Sequence, residues 1–273
     1  MTILFLHGHG SASDTFAALM EDPCLADTTR IAVDLRGHGK SPMPPPPSSE
    51  AWTRSAFAAD VLEVLSGLGP EPKILVGHSM GVRVAVEVVA SDPSAVDGLF
   101  CIDMDTRARK PGMLKLSKAP GAEAAAREFP DDRVFPSLEA VRSALEAHGY
   151  DEGRVEGMVE SGRIHAQEDG SWWCGVHPHT FWATAGPDGP LVGSLRDAWE
   201  AVAAADHIPV SLVLAAKGSA ARPSEVAWMA ETMPRLHHVV VPHTRHSVHK
   251  DDTSTTASLL AEMVTAVRQA ESS

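Results

Sequence analysis

The pentapeptide Gly77-His78-Ser79-Met80-Gly81 constrains this chain more than any other feature. Before it runs the short apolar segment Lys73-Ile74-Leu75-Val76, and after it Val82, Val84, Ala85, Val88 and Val89 recur at helical spacing. The glycine–serine–glycine pattern therefore sits at a turn from a buried strand into a helix. A Cβ at either glycine would meet neighbouring backbone in so tight a turn. The turn lifts the Ser79 hydroxyl above the sheet edge and points a helix N-terminus at it, an arrangement suited to a nucleophile.

Other apolar runs place that turn in a larger alternation. Strands are expected at Thr2–Leu6, Arg30–Leu35, Asp97–Ile102, Pro209–Leu214 and His237–Val241. Helical stretches lie between them at 11–20, 50–68, 80–90, 223–233 and 253–269. Strands alternating with helices predict a mostly parallel sheet covered on both faces. Residues 106–205 interrupt the alternation with helix-like stretches at 123–129, 137–148, 152–161 and 195–205, and with Trp172, Trp173, Phe181 and Trp182.

Composition bounds the partners. With 273 residues the chain can bury one substantial core and an insertion. A formal charge of −13 argues against nucleic acid and mildly against highly anionic substrates, although a local arginine cluster could override the average field. No run reaches the ~18–20 apolar residues of a membrane span. Three widely spaced cysteines imply no disulfide framework, and Met1 leads straight into a strand, so a cytoplasmic location is expected. Pro42 and Pro44–Pro47 read as a stiff surface loop.

Three loops carry a family likeness: His7-Gly8-His9-Gly10 after the first strand, Asp34-Leu35-Arg36-Gly37-His38-Gly39-Lys40-Ser41 after the second, and the GHSMG turn. In this order they resemble the α/β-hydrolase superfamily, in particular its capped serine esterases and lactonases. The resemblance implies an α/β-hydrolase core over 1–105 and 206–273, with a helical cap over 106–205. Glu168-Asp169-Gly170-Ser171-Trp172-Trp173 is similar to a segment found in such caps.

The same resemblance implies a histidine base in the loop after the last strand, where His246 aligns, with His243 and His249 as bystanders or substrate-facing groups. The H-x-x-H-x-x-H spacing also suggests a metal, but no carboxylate or cysteine completes a ligand set, so no metal is expected. Most relatives place the acid after the seventh strand. Here that stretch reads Gly218-Ser219-Ala220-Ala221, and Glu225 nearby falls in a helix. Asp103, 24 residues after Ser79 at the end of the sixth strand of the family's count, is the expected acid. Asp105 is the reserve, since strand alternation would put both on one side. The oxyanion donors are expected to be the backbone N–H groups of Met80 and His9.

A serine nucleophile excludes the alkyl-ester chemistry of dehalogenases and epoxide hydrolases, which needs an aspartate there. The leading expectation is a hydrolase of a small carboxylic ester or lactone with an apolar part, with Trp172, Trp173 and Trp182 lining the substrate side of the cap. A thioester would use the same machinery. Arg83, four residues after Ser79, is similar in context to the menaquinone-pathway synthase that eliminates pyruvate, and a lyase or carbon–carbon hydrolase binding carboxylates at Arg83 is the alternative. A non-catalytic, hydrolase-like receptor is the third. The glycines at 8–10 lack a full dinucleotide fingerprint, so no organic cofactor is implied. The sequence leaves the oligomeric state open.

Overall fold

The computed structural model describes residues 1–44, 49–108, 129–130, 132–148, 150–160, 162–185 and 189–271. The expected helix at 123–129 lies, apart from Phe129, outside the described residues. Six strands form one parallel sheet in the order β2-β1-β3-β4-β8-β9: β1 (Thr2–Leu6), β2 (Thr29–Val33), β3 (Lys73–His78), β4 (Gly98–Ile102), β8 (Val210–Ala215) and β9 (His237–Val241). β1 and β3 pair in register from Thr2 opposite Lys73 to Leu6 opposite Gly77, which brings the loop after β1 beside the turn at Ser79.

Strand alternation sorts the core into two layers. Leu4, Leu6, Leu75, Leu99, Leu212 and Leu214 point to one face, under α2 (Arg54–Gly67), α3 (Met80–Ser91) and the helices Arg196–Ala204 and Pro223–Thr232. Ile3, Phe5, Ile74, Val76, Phe100, Ile102 and Val213 point to the other, under α1 (Ala17–Met20) and Thr253–Glu271. The central strands are thus mostly apolar because both their faces are covered.

Between β4 and β8 a third apolar cluster, including Phe135, Val141, Leu145, Ile164 and Cys174, is drawn from this segment alone. It is built partly on a small antiparallel sheet, β5 (Val134–Phe135), β7 (Trp172–Cys174) and β6 (Ile164–Ala166), beside helices Leu138–Glu146 and Glu152–Glu160. The expectation for 106–205 is a helical cap with an aromatic cluster; the small sheet beside its helices is an addition to that reading. Asp169-Gly170 is its hairpin turn, with Gly170 at φ +85° and the Asp169 carboxylate accepting from Ser171 N–H. A correction concerns Arg196–Ala204, which the sequence groups with the cap. Its Trp199 and Val202 are fully buried in the main core beside α3, and Trp199 Nε1 donates to the Met229 carbonyl. By packing, that helix covers the sheet.

Candidate active site

The turn at Ser79 is held by two close approaches. A Cβ on Gly81 would lie 2.1 Å from the Leu6 carbonyl oxygen, and one on Gly77 would lie 2.6 Å from the Gly81 backbone. With both positions bare, α3 starts directly against β1, and Ser79 is driven to φ +54°, a left-handed backbone that side chains rarely adopt. Ser79 N–H donates to the Ile102 carbonyl at 3.0 Å, which fixes the turn to the end of β4.

Three side chains from three loops meet there. His246 Nε2 lies 2.9 Å from Ser79 Oγ, and His246 Nδ1 lies 2.7 Å from Asp103 Oδ2. A carboxylate only accepts, so Nδ1 carries the imidazole hydrogen, and in the neutral ring Nε2 is left to accept from the Ser79 hydroxyl. Asp103 is fully buried and Ser79 nearly so, whereas the His246 side chain is 39% exposed.

Asp103 has every acceptor position filled. Oδ1 takes the Ala215 N–H at 2.9 Å and the Ser219 hydroxyl at 2.5 Å; Oδ2 takes the Ala220 N–H at 2.9 Å besides His246. Burial alone would push its carboxyl pKa up, but the hydrogen bonds from His246, Ala215, Ser219 and Ala220 outweigh burial and hold it below the ordinary value. The loop after β8, where the family resemblance leads one to expect a carboxylate, instead supplies donors to Asp103, just past the end of β4. Ser219 is the residue that sequence reasoning missed. Its signal was a hydroxyl standing where the carboxylate was absent.

Asp105 faces elsewhere. Its Oδ2 accepts from Arg222 N–H at 2.9 Å and pairs with Arg107 at 3.4 Å. Asp103 adopts φ +52°, so the chain turns after β4 ends at Ile102 and the two carboxylates do not share a side.

Two further histidines pack beside His246. His78 Nε2–H donates to the His246 carbonyl at 2.9 Å, and the His78 ring lies 4.9 Å from His246 and 4.5 Å from His249. His249 is buried against Phe16, with its Nε2 3.2 Å from Thr15 Oγ1; His243 is exposed. Burial lowers the pKa of His78 to about 3 and of His249 to about 2, so both are neutral supports.

The loops after β1 and β2 lock together beside the turn. Asp34 accepts from Ser13 N–H and Lys40 N–H, Arg36 grips Asp60 with two nitrogens, and Leu35 N–H donates to His7 Nε2 at 3.0 Å. A Cβ on Gly8 would stand 3.1 Å from the Ser79 Cβ, so His9 follows immediately after the point of closest approach. Met80 opens α3, and its N–H belongs to the first turn, which has no intrahelical acceptors.

Arg83 is not presented to a substrate, which corrects that expectation. It is fully buried on α3, and its guanidinium donates to the carbonyls of Pro190, Val192 and Gly193 at 2.6–3.1 Å, with longer contacts to those of Asp105 and Arg107 at 3.5 and 3.4 Å. It ties the helix behind Ser79 to the chain on both sides of the 109–189 stretch. Arg83→Met strands these carbonyls, and we expect a loss of about 3–5 kcal/mol in urea unfolding. A loss below ~1 kcal/mol would contradict the clamp. Trp172 packs partly buried on the third cluster, and Trp173 lies on the same small sheet. Trp182 lies in the helix Pro178–Thr184, and its side chain is outside the described residues.

Residues 3–259 match the alpha/beta hydrolase family. The chain belongs to that family. Over 111 residues it is 34% identical to an sn-1-specific diacylglycerol lipase of Mus musculus, covering 40% of this chain and 34% of the lipase. Over 102 residues it is 38% identical to a 2-(acetamidomethylene)succinate hydrolase of Mesorhizobium japonicum, covering 37% of this chain and 34% of that enzyme. Each match thus spans about a third of the curated relative's length. Among solved structures, an E-2-(acetamidomethylene)succinate hydrolase aligns over 96% of this chain and 91% of its own, with a TM-score of 0.66 and 26% identity. A marine microorganism esterase aligns over 96% and 94%, with a TM-score of 0.70 at 17% identity, a likeness of fold alone.

Proposed function

We propose that the protein is a serine hydrolase of carboxylic esters, cyclic esters included, that works through an acyl-enzyme. The observation that carries this reading is the continuous line Ser79 Oγ–His246–Asp103, at 2.9 and 2.7 Å. Ser79 attacks the carbonyl carbon while His246 Nε2 takes its proton. Asp103 stays ionised, keeps the hydrogen on Nδ1 and stabilises the imidazolium. The tetrahedral oxyanion is received by the backbone N–H groups of Met80 and His9, each contributing about 3 kcal/mol. His246 then protonates the leaving alkoxide, and a water it deprotonates releases the acid.

Relatives named for diacylglycerol lipase and for 2-(acetamidomethylene)succinate hydrolase activity support hydrolysis as the reaction class. The lyase reading loses its support because the Arg83 guanidinium is spent on backbone carbonyls.

The test is trapping. Mixing wild type with excess p-nitrophenyl butyrate should give a burst of nitrophenol and a protein mass raised by one butyryl group, both absent from Ser79→Ala. Turnover retained in Ser79→Ala would remove the mechanism. Ser219→Ala should lower kcat/KM about tenfold at neutral pH, since Asp103 loses one of the donors that hold its carboxylate in place. Ser219→Thr, which keeps the hydroxyl, should restore it; an unchanged kcat/KM in Ser219→Ala would show that the hydroxyl does not position Asp103.

A further inference from the structure

Arg133 combines three costs at one residue. It is 4% exposed, so a cation is buried. Its backbone is at φ +60°, in the left-handed region. Among the described residues only Nη2 has a hydrogen-bond partner, the Ser41 carbonyl at 3.0 Å, while Nε and Nη1 are buried with none there. The Trp173 ring, 5.4 Å from the guanidinium carbon, offsets part of this, but no carboxylate among the described residues pairs with the charge. Asp34 acts on it only at a distance and has its own N–H donors from Ser13 and Lys40. A buried, unpaired cation in a strained backbone is retained where something else completes it.

Its place in the fold says what that is near. Ser41 closes the loop after β2, and His38 in that loop lies edge-on to His7 at 4.9 Å. His7 precedes Gly8, the residue that abuts Ser79. Two more arginines of the same inserted segment act on this region. Arg163 donates to the Gly10 carbonyl and to Ser11 Oγ, its ion pair with Asp14 being long at 3.4 Å, and the charge of Arg154 is felt at His9. A chain of net charge −13 thus sets two arginines, Arg133 and Arg163, against the loops beside the candidate nucleophile. The neighbouring imidazoles of His38 and His177 add no charge, because burial holds both well below their ordinary pKa.

We propose that Arg133 is an anion-receiving residue of this site, and that the ester taken by Ser79 carries a free carboxylate that docks on its guanidinium. With one Nη2–H bonded to Ser41, a two-donor fork of the guanidinium remains, and that fork matches a carboxylate. The ester rests on the function proposed above; the carboxylate does not.

The experiment compares p-nitrophenyl hemisuccinate with p-nitrophenyl butyrate, esters of similar length that differ in the terminal charge. Wild type should prefer the hemisuccinate at least about tenfold in kcat/KM, and Arg133→Met should lose about 100-fold on it, chiefly in KM, and with it that preference. Arg133→Lys keeps a charge without the fork and should lose about tenfold, which carries the test should the methionine variant not fold. Independently of turnover, succinate should raise the Tm of wild type and of Ser79→Ala but not of Arg133→Met. Equal losses on both esters, or an equal succinate shift in Arg133→Met, would overturn the proposal. Absence of an acyl-enzyme on either ester, with the succinate shift intact, would remove the ester chemistry and leave the anion site standing.

Discussion

Asp103→Asn should lower kcat/KM on p-nitrophenyl butyrate about 10⁴-fold, while Asp105→Asn stays within about tenfold of wild type. The reason lies in the donor count around Asp103. Ala215 N–H, the Ser219 hydroxyl, Ala220 N–H and His246 all give hydrogens to its two oxygens. An asparagine offers one oxygen and an NH₂ group, so at least one donor faces another donor. If the amide NH₂ turns toward His246, the ring must present a bare Nδ1 and carry its hydrogen on Nε2. It then has no lone pair for the Ser79 proton. Asp105 is held by Arg222 N–H and Arg107, and neither touches the base. The measurement is steady-state kinetics on both variants, with urea unfolding to show that each is folded. Comparable losses in the two variants would mean that Asp103 is not the acid.

The second large effect is on stability in mild acid. His7, His78, His177 and His249 are each at most 6% exposed, and burial is the leading cause that lowers them to about 4, 3, 4 and 2. Their unfolded value is the ordinary 6.5. The unfolded chain therefore binds more protons wherever pH lies below 6.5 and above the folded values. Stability is fully present above pH ~6.5 and is lost as pH falls below it. Each buried ring that stays neutral while its unfolded counterpart protonates lowers stability by on the order of 1–2 kcal/mol by pH 5. His38 acts in the same direction. Urea midpoints should fall as pH is lowered from 6.5 to 5. A midpoint flat from pH 7 to pH 5 would contradict the neutral, buried state of these rings. Because activity assays below pH 6 would report this loss of stability, kinetic pH profiles need a folding control.

The parallel sheet was legible because its central strands carry the short apolar runs Ile3–Leu6, Ile74–Val76 and Leu99–Ile102, and GHSMG needs both glycines for contacts the structure displays at Leu6 and at Gly81 itself. Asp103 and Asp105 could not be told apart from sequence, since alternation applies only within a strand and β4 ends at Ile102. The positive φ at Asp103 turns the chain, and no pattern announces it. The small sheet escaped notice because strands of two or three residues carry no period. Arg83 was misread because its position four residues after Ser79 does not reveal that carbonyls of the 190–193 segment close over it. Ser219, His78 and Arg133 owe their interest to what surrounds them, which only the folded chain supplies.

The central claim is that Ser79 is an activated nucleophile, and reaction with a fluorophosphonate tests it most directly. Wild type should gain one label, read by intact mass and mapped to the peptide holding Ser79. Ser79→Ala should gain none, and Asp103→Asn should label orders of magnitude more slowly. Folded wild-type protein that stays unlabelled, or a label that persists in Ser79→Ala, would contradict the account.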